Sequence, residues 1–262
     1  MFLKAVSLGV LFITTAQVHA QQTEPGTDYW YEGVITHGQR KATVAANEPR
    51  PLRQAVEALA KEYGWTVDYE DPVYSTGEGV ERTDARFLAS HPGEKQHLIG
   101  GHRFESDFPE DSNTVPSVSQ EEAVLQKVIA DYDNSGNPGK FSLLDEGGGR
   151  FAVVGTASGA GHNQSGLLDS PISVDSKNIN GAWALDKICG SLTASSGRQV
   201  RLLQYPTNIF VQTQITLHAE NKPARDVLRT VLAQTSERLA WSLLYDIDDK
   251  AYYLNIIPVN RR

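Results

Sequence analysis

A chain of 262 residues with 24 Lys and Arg against 32 Asp and Glu carries a net charge of −8. It lacks the concentrated basic face that a nucleic-acid partner requires. Its one cysteine, Cys189, excludes an intrachain disulfide.

The first residues set an expectation of export. Lys4 precedes an apolar run from Ala5 to Ala16, and Val18-His19-Ala20 offers small residues at the −3 and −1 positions of a signal-peptidase site. Cleavage is expected after Ala20, which removes Lys4 and moves the net charge to −9. The run is short of the roughly 20 residues of a membrane span, and no later stretch is apolar enough to be a transmembrane segment. Residues 1–20 are read as a signal peptide and 21–40 as a lead-in. Within the lead-in, DYWYEG (Asp28 to Gly33) carries aromatics that can stack on a sugar or a partner.

KATVAA (Lys41 to Ala46) reads as a strand, and Pro51 opens an amphipathic helix. Leu52, Val56, Leu59, Ala60 and Tyr63 share one face, with Gly64 as the left-handed cap. Trp65, Val67 and Tyr69 then alternate at strand period. Residues 71–101 read as a long loop. Ser119-Gln120-Glu121-Glu122 has the form of a capping box, followed by a stripe of Val124, Leu125, Val128, Ile129 and Tyr132. FSLLDE and RFAVVGTA form a hairpin around Gly147-Gly148-Gly149. SGAGHNQSG within residues 158–169 has linker composition.

PISVDS reads as a strand and Asn180 as a helix cap, with Leu185, Ile188, Cys189 and Leu192 inward and Gly197 as the stop. RQVRLL and QITLHAE are strands. A helix follows with Val227, Leu228, Val231 and Leu232 inward, and LAWSLLYD and AYYLNIIPV close the chain as a hairpin over Asp246 to Lys250. The expected order over 41–157 is β-α-β-β-α-β-β, and 170–258 repeats it. The fold class is therefore read as α+β in two related halves, 41–157 and 170–262, each with two helices packed on a short sheet.

Pro51-Leu52-Arg53 and Pro223-Ala224-Arg225 open two of the helices alike, and each helix leads to a tryptophan, Trp65 or Trp241. These units resemble the short secretin and TonB N-terminal module of bacterial envelope proteins, a strand, a "PLxxAL..LA...G" helix and a strand ending in Tyr. The matching residues are Pro51, Leu52, Ala55, Leu59, Ala60, Gly64 and Tyr69, and, in the second unit, Pro223, Ala224, Val227, Leu232 and Tyr245. The likeness covers about thirty residues of the first half and about forty-five of the second. In that family such modules precede a pore domain or an outer-membrane barrel. This sequence runs to Arg262 just after its last strand, so the resemblance implies a periplasmic adaptor that meets an envelope protein partner.

Sites of chemistry are sparse, and no metal, cofactor or catalytic residue is expected. DYDNSGNPG places Asp131, Asp133, Ser135 and Gly136 like the start of a calcium loop, but Ser142 stands where the bidentate Glu belongs. His91, His97 and His102, with Glu94 between them, are the types that build a zinc site, at spacings that fit no helix face. Asp68, Glu70 and Asp71 cluster after the first helix and offer paired carboxylates. Cys189 shares an apolar stripe, which reads as packing. Ser158 lies one place too late for a nucleophile elbow, and the glycines from Gly159 to Gly161 lack the third glycine of a dinucleotide loop. Two functional readings remain: a non-enzymatic binding or adaptor protein, and an envelope hydrolase with a metal or carboxylate site in the 68–102 region.

Overall fold

The computed structural model describes residues 32–83, 85–110, 117–157 and 165–259. The expected signal peptide and the aromatics of DYWYEG lie outside them, as do residues 158–164 of the expected linker.

Strand β1 (Val34–His37) falls inside the expected lead-in and pairs antiparallel with β2 (Lys41–Ala46). Helix α1 (Pro51–Tyr63) buries Leu52, Val56 and Leu59, and Gly64 closes it at φ 69°. Only glycine adopts that left-handed conformation without steric cost. Strand β3 (Thr66–Glu70) follows at once.

The region read as a long loop contains structure. Strand β4 (Gly79–Glu81) and strand β5 (His97–Ile99) form an antiparallel ribbon around helix α2 (Ala85–Ser90), and Phe87 and Ile99 are buried. Each piece is too short for hydrophobic period to show. Strand β6 (Phe104–Pro109) then pairs antiparallel with β2, with Phe104, Ser106 and Phe108 turned inward.

Helix α3 (Val118–Asn134) starts earlier than expected. Its cap is Ser117, whose Oγ accepts from the Gln120 N–H at 3.3 Å while Gln120 Oε1 accepts from the Ser117 N–H at 2.7 Å. Ser119 lies two residues too far along for that role. Asp131 and Asp133 belong to this helix. Asp131 accepts from Lys127 Nζ at 2.7 Å, and Asp133 accepts from the Phe141 N–H at 3.3 Å. Strands β7 (Lys140–Asp145) and β8 (Arg150–Ala157) form the expected hairpin.

Part of the expected linker is core: Leu167–Asp169 is a 3₁₀ turn that buries Leu168. Strand β9 (Pro171–Asn180) leads into helix α4 (Gly181–Ser196), where Asn180 Oδ1 accepts from the Trp183 N–H at 2.9 Å. Strand β10 (Val200–Gln204), short helix α5 (Thr207–Gln212), strand β11 (Gln214–Pro223) and helix α6 (Ala224–Leu232) follow. The hairpin β12 (Leu239–Asp246) and β13 (Ala251–Pro258) ends the described chain.

These elements make an α+β fold around one six-stranded sheet of order β10-β13-β12-β3-β8-β7. Its right-hand strands, β3-β8-β7, come from the first part of the chain and its left-hand strands, β10-β13-β12, from the last. The two sets meet where β12 pairs parallel with β3, Ser242 opposite Tyr69 and Leu243 opposite Glu70. Helices α1 and α3 lie between β3-β8-β7 and a small sheet of order β1-β2-β6. Helices α4 and α6 lie between β10-β13-β12 and the β9-β11 ribbon.

Two hydrophobic cores result, on opposite faces of the sheet. Alternate residues of a strand point to opposite faces. On β8, Phe151 and Val153 join the core under α1 and α3, whereas Ala152 and Val154 join the core under α4 and α6. The second core thus reaches across the seam onto strands of the first part.

Candidate functional site

The seam is where polar side chains are driven inward. On β3, Val67 and Tyr69 face the first core, so Asp68 and Glu70 face the other side, beneath the second. Each is 0 % exposed, and Asp71 beside them is 2 % exposed. The three carboxylates noted in the sequence therefore lie together, and in a dry place.

Each is held by partners distant in sequence. Asp68 receives a two-pronged contact from Arg150, Nε at 2.6 Å and Nη2 at 2.9 Å, and the Trp241 N–H at 2.8 Å. Glu70 accepts from Arg225 Nη2 at 2.8 Å and from the Leu168 N–H at 3.2 Å. Asp71 accepts from Arg50 Nε at 2.7 Å, from the Tyr245 N–H at 2.9 Å and from the Tyr74 hydroxyl at 3.3 Å. Arg50 makes its contact from φ 57°, a conformation that non-glycine residues rarely adopt. Its Nη2 also donates to the Tyr245 carbonyl across the seam.

Arg225 is the hub. It lies 5.3 Å over the Trp241 ring, reaches Asp169 Oδ1 at 3.2 Å, and places Nη1 3.6 Å from Glu146. Glu146 is also 3.3 Å from Arg150 and 3.7 Å from Arg229, yet neither carboxylate oxygen makes a hydrogen bond of good geometry. Backbone packs closely here: a Cβ on Gly166 would come 2.9 Å from Glu70 Oε2 and 3.0 Å from Arg225 Nη2. Burial pushes the Asp68 carboxyl up to about 7 against the pull of Arg150, and the Glu70 carboxyl up to about 6 against that of Arg225.

Chemically this cluster is a clamp. The carboxylates of Asp68, Glu70 and Asp71 are hydrogen-bonded and closed to solvent, so these three offer no open acid–base pair to a substrate. Replacing a buried ion pair by apolar residues is often neutral, whereas breaking one is costly. Asp71 borders a polar cleft of about 430 Å³ with Ser165, Ser196, Arg198 and Tyr252, but its side chain is 0 % exposed. An apolar cavity of about 330 Å³ lies between α1 and the seam, lined by Val56, Ala60, Val67, Tyr69, Ser242 and Ile257.

The three histidines are not brought together. His91 stacks on Phe87 at 4.8 Å and bonds to Ser90 Oγ at 2.9 Å. His97 Nδ1 lies 2.7 Å from Asp248 Oδ1, and His102 contributes its N–H to Asn137 Oδ1 at 2.6 Å. Among the described residues no group of three His, Cys, Asp or Glu is placed to hold a metal ion. Cys189 is buried in the second core, where burial pushes its thiol up to about 12.

Sequence reasoning missed the arginines. The shared Pro-x-Arg start was a partial signal: Arg225 takes Glu70 through it, but Arg53 pairs with Glu57 on its own helix, at 2.7 Å. It also missed the two ends of the central sheet. Among the described residues no strand pairs with the outer side of β7 or β10. Each of these free strands carries an exposed leucine, Leu144 at 36 % and Leu203 at 63 %.

No family model, no curated protein and no solved structure matches this chain.

Proposed function

We propose that this chain is an exported, non-enzymatic binding or adaptor protein of the bacterial envelope, made of two related α+β halves of the secretin/TonB N-terminal kind. The observation that carries the reading is the pair of unpaired strands at the ends of a rigidly clamped sheet. An unpaired edge offers a row of N–H and C=O groups on which a partner strand can pair.

The relation between the halves is supported strand by strand. In the first, β2-α1-β3 and β6-α3-β7-β8 yield an antiparallel β2/β6 pair and the order β3-β8-β7. In the second, β9-α4-β10 and β11-α6-β12-β13 yield an antiparallel β9/β11 pair and the order β10-β13-β12. The senses agree: β3 with β8 and β10 with β13 are parallel, while β7 with β8 and β12 with β13 are antiparallel. Strand β1, the β4-α2-β5 segment and α5 are additions to the shared plan.

The test is a photo-crosslinking residue placed at Leu144, at Leu203 or, as a control, at exposed Trp183 on α4, in protein expressed in its native host. The edge positions should capture a discrete species that Trp183 does not. Equal capture at all three positions, or none at the edges, would refute an edge-docking adaptor.

A further inference from the structure

We infer that the two free edges are complementary to each other, so that a second copy of this chain docks its β10 edge on the β7 edge, parallel and in the register of the internal seam. This deepens the adaptor reading and rests on it. The seam joins the hairpin edge of one half, β12, to the single-strand edge of the other, β3. The strands left over at the ends of the sheet are the counterparts of those two. Within the second half, β12 and β10 flank β13, and within the first, β7 and β3 flank β8.

The pairing fixes the correspondence. Tyr252 lies opposite both Tyr245 and Val200, as Phe151 lies opposite both Asp145 and Val67. By these pairings Leu143 and Leu144 occupy the places of Leu243 and Leu244, and Gln204, which lies opposite Asn255 past a bulge at Leu203, occupies that of Glu70. In the seam, Leu243 is opposite Glu70, and Leu244 packs against the first core from across the junction. Carried to the free edges, the same register sets Leu143 opposite Gln204 of the second copy, beside the bulged Leu203. Leu144 then meets the second copy's core as Leu244 meets the first. Leu203, exposed in the bulge next to Gln204, borders the same contact.

Directions agree as well. Strand β12 runs parallel to β3, and the hairpins and parallel pairs then make β7 and β10 run the same way. Neither strand contains a proline, which would deny the edge a donor. Because the two surfaces differ, the contact is heterologous, and each added copy leaves one free edge of each kind. The assembly is open-ended, with the helix layer alternating between faces of one continuous sheet.

Sedimentation of the purified protein over a concentration series tests this with Leu144→Lys, Leu203→Lys and their mixture, each checked by thermal melting for an intact fold. Wild type should form a series of species beyond a dimer, and each single variant should be monomeric. An equimolar mixture should form dimers and stop there, since one intact edge of each kind remains. A monomeric wild type, or a wild-type dimer that the mixture of variants does not restore, would overturn the inference. If the wild type is monomeric while the edge crosslinkers capture a different protein, the adaptor reading stands and the second copy is not the occupant. If the crosslinkers also capture nothing, both readings fail.

Discussion

Arg225 on α6 donates to Glu70 on β3 at 2.8 Å across 155 residues of chain, and both side chains are closed to solvent. This contact ties the second half's helix to the first half's strand. Removal of one partner of a buried pair costs about 3–5 kcal/mol, because the other charge stays buried without it. Arg225→Met should lower stability by that order in urea denaturation. The double variant Arg225→Met/Glu70→Leu should recover at least half of the loss. No recovery in the double variant would mean that the cost arises from the other contacts of Arg225, with Trp241, Asp169 and Glu146.

Glu121 is buried in the first turns of α3, with Oε1 lacking a hydrogen bond, and burial pushes its carboxyl up to about 7 against the distant pull of Arg238. An unfolded Glu titrates at about 4.3. Between the two values the folded chain holds a proton that the unfolded chain does not, so this group's contribution to stability falls as pH rises through that window. Glu121→Gln should raise stability at pH 8 by about 1–2 kcal/mol and flatten the dependence between pH 4 and 7. Parallel stability curves for wild type and variant would refute the assignment.

Leu228 is 0 % exposed at the centre of the second core, and Cys189 packs in the same core. Leu228→Ala leaves a cavity and should cost about 2–5 kcal/mol. Cys189→Ala removes fewer atoms and should cost about 1–2 kcal/mol on the same basis. A native-state thiol reagent should label Cys189 only as fast as the protein opens. Rapid labelling would place it outside the core.

His91, His97 and His102 contact separate partners at the surface, and exposed polar contacts such as that of His97 with Asp248 contribute about 0–1 kcal/mol. Replacing all three with Ala should change the melting temperature little, and chelator should act equally on wild type and variant. A chelator effect present in wild type and absent in the variant would reveal a metal site and revive the hydrolase reading.

Much of the element order is written locally. The stripe from Leu52 to Leu59, the stops at Gly64 and Gly197, the Asn180 cap and both hairpins follow from 3.6- and 2-residue periods and turn chemistry. Those signals act over a few residues, so they survive reading in one dimension. They fail where elements are short, as in β4-α2-β5, and where a turn is buried by remote packing, as at Leu168. The fate of Asp68, Glu70 and Asp71 was beyond them altogether. In the sequence these residues read as paired carboxylates after the first helix. They are buried because β12 pairs with β3 and the second core spreads across that face, which brings Arg225 and the Trp241 and Tyr245 N–H groups onto them. Which strands are left as edges is equally a property of the assembled sheet. Periodicity tells which face of a strand is buried, but strand order depends on contacts between residues far apart in the chain.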